Sequence, residues 1–505
     1  MSDPAQPAPA RDGGPRADPD IADLAKGGRT NVFGFLLRLA ARIPFLFIAG
    51  RLYGPDALGR FAYAILVVEF AAQLATLGLK RGLAQQLAKG ERPPAHIVWD
   101  ALLLAGLAAA AAAALLAAVP EMMFPTSELY GLERMLPLAV FAMAWSDVAL
   151  AALAYRLNVG ATVTARAVIE PWTISLAALA LYYYSPRDGL ILSYALSMVA
   201  ALIASLIPFL RSYGLPHGWS PAPSPLFALA RRNMPLAAAD AIEWGTRNVD
   251  RAILGLFFEP RIVGIYWVAQ QIATLPQKLK TSFDPILGPV ITQNLEAGNK
   301  AAVAAQVRQV GFWIIAAQAG IALALSVPGE AVMGLAGHEF VGGTAALAFL
   351  LAAEVVAATA VVAESALVYM ARHRNLMLSM ATISLQIVMS FAFILGARAL
   401  DLPVAVQAAG PAVALPLALA FASVTKARLL ARLLGEPVSG WRWALIWAAV
   451  AAGVVGYGTL FLPEWCELLF GIPLILAAYG LVIWYKGFTR EDRILFQIRS
   501  RAAAG

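Results

Sequence analysis

The chain has 505 residues, of which 60% are hydrophobic and 14% charged, whereas water-soluble domains hold about 45–50% apolar and about 25% charged residues. That excess excludes a water-soluble core. The formal charge of +7 is spread through short loops with no basic domain to hold a polyanion, which excludes nucleic acid as a partner.

In chain order, residues 1–30 carry Pro4, Pro7, Pro9, Pro15 and Pro19 among Ala, Asp and Arg, and read as a disordered cytoplasmic tail without a cleavable signal. Apolar blocks of about 20 residues follow, each long enough to cross a hydrocarbon layer of about 30 Å. Such blocks read as helices, which satisfy their own backbone groups where lipid cannot. About fourteen spans are expected. The first six lie near Asn31–Gly50, Gly59–Leu79, His96–Val119, Arg134–Tyr155, Arg166–Tyr184 and Leu190–Leu210, and make an N-lobe over 31–211. The Pro-rich stretch from Ser212 to Pro225 opens a cytoplasmic linker, 212–232. A C-lobe over 233–425 holds the next six, near Met234–Phe257, Val263–Val290, Val307–Val327, Thr344–Met370, Leu376–Leu400 and Pro403–Val424. Two more, near Trp441–Leu462 and Glu467–Tyr485, fill 426–486, and 487–505 is a cytoplasmic tail. The expected fold is therefore an all-α integral membrane protein, two parallel six-helix lobes around a central cavity plus two C-terminal helices.

Charge bias orients it. Lys80, Arg81, Lys89, Arg92, Arg231, Arg232, Arg372, Arg374, Lys426, Arg428 and Arg432 fall in one set of loops, and Glu121, Glu128, Glu330, Glu339, Glu464 and Glu467 in the other. The positive-inside rule puts the first set, and both termini, in the cytoplasm. An internal repeat supports the lobes: Gly50–Ala64 (GRLYGPDALGRFAYA) aligns without gaps on Gly255–Ala269 (GLFFEPRIVGIYWVA). Gly50/Gly255, Pro55/Pro260, Gly59/Gly264 and Ala64/Ala269 are identical, Phe61 faces Tyr266, and Arg42 falls on Arg247. A repeat of an even number of spans returns the chain to one orientation, so its axis lies along the membrane normal.

Charges within spans mark the candidate site. Arg38 and Arg42 share a face of the first span, while Asp240, Glu243, Arg247, Asp250 and Arg251 form a polar stripe on the seventh, and Gln271 and Lys278 share a face of the eighth. Each ionised group at mid-bilayer costs about 2.5–3.5 kcal/mol on the insertion scale, so these groups face a cavity or one another. Structural pairs such as Arg247 with Glu243 or Asp250 account for the acidic groups as well as a functional role does. Arg38 and Arg42 have no acid on their own helix, and a guanidinium fork suits phosphate oxygens. Arg38, Arg42, Arg247, Arg251 and Lys278 are thus candidate anion ligands, and Asp240, Glu243, Asp250, Glu354 and Glu364 candidate proton- or sodium-coupling or gating groups.

The single Cys466 and the dispersed His96, His217, His338 and His373 offer no CxxC site and no metal cluster, and no ATP-binding motif is visible. No cofactor is expected. Pro44, Pro171, Pro276, Pro285, Pro289 and Pro411 read as helix kinks or bending points.

The turn Arg51-Leu-Tyr-Gly-Pro-Asp-Ala-Leu-Gly-Arg-Phe61, the Leu77-Gly-Leu79 turn, Asn248-Val-Asp-Arg-Ala-Ile-Leu-Gly255 and Val263-Gly-Ile-Tyr-Trp-Val-Ala269, with Pro285 and Pro289 beyond, carry a family resemblance. The chain resembles the multidrug/oligosaccharidyl-lipid/polysaccharide exporter superfamily, and within it the polysaccharide and O-antigen flippases. That resemblance implies a V-shaped pair of lobes around a largely cationic cavity, alternating between inward-open and outward-open states. The implied cargo is an undecaprenyl diphosphate-linked oligosaccharide repeat unit crossing a bacterial inner membrane for O-antigen, capsule or exopolysaccharide, with its diphosphate held by lumenal arginines. Polymerase and chain-length proteins are the implied partners. The two extra C-terminal helices also occur in lipid II flippases. The rival readings are a cation-coupled drug antiporter of the same superfamily, which favours an acidic or aromatic lumen, and a glycan-polymerising membrane enzyme, which needs a large loop or a mid-span histidine that this chain lacks.

Overall fold

A computed structural model describes residues 43–89, 92–125, 131–156, 158–281, 291, 294–295 and 298–489. The described residues are helical and contain no strand. Numbering the longer helices in chain order, the first half holds α1 (Gly54–Ala75), α2 (Leu79–Ala88), α3 (Pro94–Ala118), α4 (Leu138–Tyr155), α5 (Glu170–Tyr182) and α6 (Gly189–Tyr213). The second holds α7 (Pro223–Phe257), α8 (Pro260–Thr281), α9 (Lys300–Ser326), α10 (Thr344–Met370), α11 (Arg372–Ala399) and α12 (Gly410–Leu434), followed by α13 (Ala444–Thr459) and α14 (Ile472–Val482).

Nine helical stretches among the described residues are long and apolar enough to cross a membrane. The first of them, Ile43–Ala88, joins the end of the first expected span to the second and to the short α2. The expected spans outside the nine are α5, which a π-helical turn at Val163–Ile169 extends back to Val159, the shorter α13, and α7 and α8. The last two are long but carry the intramembrane charges that lower their mean hydropathy. About fourteen spans therefore hold, including the end of the first.

Several boundaries differ from the periodicity. Helix α7 begins at Pro223, inside the stretch expected to be linker, because proline is tolerated in a first helical turn. The remaining linker is fastened to α3: Trp219 donates to Asp100 at 2.8 Å and Trp99 donates to the Gly214 carbonyl at 3.1 Å. Helix α12 runs to Leu434, ten residues past the expected end, where Gly435 closes it in the left-handed region at φ 76°.

The core explains the shape of the cavity. One buried cluster is shared by both lobes and unites Phe61, Leu190, Leu254, Val263, Phe340 and Ala412. Two others do not bridge the two lobes. Leu83, Val98, Leu102, Val148 and Phe209 make one in the N-lobe, and Val303, Phe312, Leu367, Leu430 and Ile475 the other, between the C-lobe and the last two helices. The lobes thus share an apolar core at the end bearing the Gly50 and Gly255 turns and have separate apolar cores at the opposite end, where they meet through α2 and α7, with Gly78 and Gly82 against Asn233, Leu236 and Ala237.

Repeat-related residues make the shared seam. A Cβ at Gly59 would overlap the Pro260 carbonyl oxygen, and one at Gly264 would overlap that of Pro55. Repeat equivalents Asp56 and Arg261 pair with each other at 3.4 Å. Residue i meeting j while the equivalent of j meets the equivalent of i is the signature of a two-fold contact, here within one chain. Only glycine allows helix backbones to approach so closely.

Candidate functional site

Between the lobes lies a cavity of about 1380 Å³, lined from α1, α2, α5 and α6 on one side and from α7, α8, α10, α11 and α12 on the other. Its closed end is an aromatic cluster. Phe61 packs edge-on against Phe45 (5.8 Å between centroids), Trp267 (6.1 Å) and Tyr194 (5.9 Å), just beneath the glycine seam. The lining extends to Arg81, Arg372 and His373 at the other end, which the charge bias assigns to the cytoplasm.

Helix α7 supplies the polar stripe. Arg247 and Arg251 both line the cavity but in different states. Arg251 is 3% exposed and donates to Asn248 at 3.1 Å. The Arg247 side chain is 53% exposed and donates to Glu243 at 2.9 Å, one of the structural pairs the sequence allows. Asp250 lines the cavity while buried, accepting from Tyr266 at 2.5 Å and Gln270 at 3.5 Å. Asp240 does not line it; this carboxylate turns to α2 and pairs with Arg81 at 2.9 Å.

Glu354 and Glu364 line the C-lobe wall. Glu364 accepts from Lys426 at 3.0 Å and from Asn375 at 3.3 Å, and Lys426 also donates to Ser379 at 3.0 Å. On the N-lobe wall, Glu170 pairs with Arg166 at 2.8 Å, and Arg166 also pairs with Asp147. Arg38 and Arg42 lie outside the described residues, as does the side chain of Lys278.

The expectation of a largely cationic cavity is corrected for the described lining. Arg81, Arg247, Arg251, Arg372 and Lys426 share it with Glu69, Glu170, Glu243, Asp250, Glu354 and Glu364. Guanidinium and ammonium groups withdrawn from water need compensating charge, and neighbouring helices supply it. No cluster of metal-ligating side chains is found among the described residues.

Two cavity residues were hidden by their position in the sequence. Arg81 and Lys426 read as loop cations, yet the structure brings Arg81 to the α7 stripe and buries Lys426 to 4% exposure. The signal for Lys426 was present: the apolar period continues through Ala427, Leu429 and Leu430 to Leu434, which keeps it inside the helix. Arg60 was quoted only as part of a turn motif. It sits instead in a buried cluster at the sealed end, pairing with Glu133 at 2.6 Å and Asp188 at 3.4 Å beneath the Phe124 ring. Burial, and then the charge of Glu133, pushes the Asp188 carboxyl above its ordinary range, against the pull of Arg60 and Arg187.

A family model described as polysaccharide biosynthesis protein matches residues 48–325. The chain belongs to that family. Solved structures share its fold across nearly their whole length. The lipid II flippase MurJ in an inward closed conformation superposes with a TM-score of 0.67 at 12% identity, covering 90% of this chain and 99% of that one. An inward-facing multidrug resistance MATE family transporter of the MOP superfamily gives 0.61 at 14% identity, over 79% and 98%. A point mutant of the Vibrio cholerae MATE transporter VcmN gives 0.55 at 12% identity, over 82% and 99%. No curated protein sequence matches. The family match agrees with the polysaccharide branch named from the turn motifs, and this multi-pass membrane protein shares its fold with the lipid II flippase and the MATE family transporters.

Proposed function

We propose that this protein flips an undecaprenyl diphosphate-linked oligosaccharide repeat unit across the inner membrane of a bacterium, for O-antigen, capsule or exopolysaccharide synthesis. The observation that carries this reading is the cavity itself. At about 1380 Å³ it exceeds the 300–1,000 Å³ typical of drug-sized sites, and it holds the Arg247 and Arg251 guanidiniums between the lobes. In the assigned orientation, with both termini cytoplasmic, it is the loading state. The seam and aromatic cluster block the periplasmic end, and cargo enters from the cytoplasmic end.

Alternating access then requires the seam to part after loading. The diphosphate supplies the charge that the arginines attract, and remaining cations at Arg38, Arg42 and Lys278 would add to it. Coupling to a proton or sodium gradient through Asp250, Glu354 or Glu364 supplies direction, since one charge moved across 100 mV is worth about 2.3 kcal/mol. Polymerase and chain-length proteins of the same pathway would consume the product.

The six lining carboxylates favour one competing reading, a cation-coupled drug antiporter. Depletion of the protein separates the two. A flippase predicts lipid-linked oligosaccharide accumulating on the cytoplasmic leaflet while surface glycan disappears, and Arg247→Ala should reproduce that loss at normal protein level. Unchanged glycan with new sensitivity to cationic drugs would replace the flippase reading by the antiporter.

A further inference from the structure

At the cavity entrance, one carboxylate bridges two arginines from different lobes. Arg81 on α2 donates to Glu243 Oε2 at 2.6 Å, and Arg247 on α7 donates to Glu243 Oε1 at 2.9 Å. Two guanidiniums converging on the two oxygens of one anion is the geometry that a phosphate would use. The two carboxylates that Arg81 meets differ in accessibility. Asp240, paired with Arg81 Nε at 2.9 Å, is 3% exposed in its side chain, whereas Glu243 is 45% exposed and lines the cavity.

This difference separates two roles. Asp240 is fixed in place by burial, so its charge, 2.9 Å from Arg81 Nε, keeps the Arg81 guanidinium beside α7. Glu243 is bound by ion pairs open to water, each worth only about 0–1 kcal/mol because solvent screens them. An incoming dianion can therefore displace Glu243 without exposing a buried charge, while Asp240 stays in place.

We propose that Arg81 and Arg247 form a phosphate-binding pair at the cavity entrance, and that Glu243 is an internal anion which occupies the pair when it is empty and yields to the diphosphate of the cargo. The inference rests on the flippase reading and names residues for it. Glu243 sets a loading threshold: a weakly charged lipid cannot displace it, whereas a diphosphate can. It also keeps two cations from facing each other unpaired in the empty cavity. Displacement exchanges the Glu243 carboxylate for the phosphate between Arg81 and Arg247, so the link between the lobes then runs through the cargo.

The test measures binding of farnesyl diphosphate, with farnesol as the uncharged control, to the purified full-length protein in lipid nanodiscs. Glu243→Gln removes the competing anion and should tighten farnesyl diphosphate binding about fivefold, the equivalent of one exposed ion pair. Arg81→Ala should weaken it about tenfold, the loss of one charge-assisted contact, and farnesol binding should follow neither change. Thermal unfolding reports whether each variant is folded. If Glu243→Gln is not, Glu243→Asp, too short to bridge both arginines, should also tighten binding. Wild-type binding that Glu243→Gln leaves unchanged or weakens overturns this inference and leaves the flippase reading standing. Absence of farnesyl diphosphate binding by the wild type overturns the flippase reading, and this inference with it.

Discussion

The two repeat-related segments keep one contact and invert the chemistry around it. Near the seam, Gly59 and Gly264 make the same approach to the opposite helix. Farther into the membrane, Phe45 and Phe61 of the first half pack edge-on at 5.8 Å, whereas their equivalents Asp250 and Tyr266 share a hydrogen bond at 2.5 Å. At the sealed end the order is reversed. Arg60 joins a buried ion cluster in the first half, while its equivalent Ile265 fills apolar space beside Gly343 and Met333. At these equivalent positions the first half thus has its charge at the sealed end and aromatic rings beneath it, and the second has its charge beneath. Symmetry is retained where the lobes must close on each other. It is abandoned at the Phe45/Asp250 and Arg60/Ile265 positions, where one half is apolar and the other charged.

Three changes would break or sharpen this contrast. The largest effect is expected from Arg60→Ala, which withdraws the guanidinium shared by Glu133 and Asp188. Loss of one partner from a buried ion cluster costs about 3–5 kcal/mol, against about 0.5–1.5 kcal/mol for Ile265→Val at the equivalent site. Denaturation of the purified variants reads both, and equal losses would show that the two sealed ends are alike after all.

Next come Gly59→Leu and Gly264→Leu, each forcing a side chain into the opposite backbone. Overpacking of this kind costs about 1–3 kcal/mol, and the cost is expected mainly as separation at the seam. Spin labels at Leu52 and Leu335 should report a longer distance in both variants and by the same amount. A response from only one glycine would remove the two-fold contact from the argument.

The smallest effect belongs to Tyr266→Phe, which makes the second half resemble the first and withdraws a donor from buried Asp250. A cost of about 1–2 kcal/mol is expected. Adding Asp250→Phe should recover part of it, because an apolar pair replaces a buried carboxylate that has lost its shortest donor. Stability that keeps falling in the double variant would mean that Asp250 has further essential partners.

Much of the fold was legible because a bilayer imposes strong rules on a sequence. Apolar blocks of spanning length, the loop charge bias and the repeat together led to an all-helical, two-lobed protein. The helices most easily missed by hydropathy, α7 and α8, both line the cavity, α7 with Glu243, Arg247, Asp250 and Arg251 and α8 with Gln270 and Gln271. The stripe on α7 identified Arg247, Arg251 and Asp250 as groups needing a polar environment. It did not tell which were exposed, because neighbouring helices decide burial. Asp240 and Glu243, three residues apart, illustrate this: both pair with Arg81, yet one is buried and the other open to the cavity.

The sequence by itself determined the solvent in which this protein folds, the number of its crossings and the symmetry of its halves, since hydrocarbon thickness and backbone satisfaction act on each segment locally. Only the tertiary structure decided which charges neutralise one another and which end of the cavity is shut. Those depend on the approach of helices far apart in the chain, where a glycine seam and a few ångströms of separation set whether an arginine meets a carboxylate or open space.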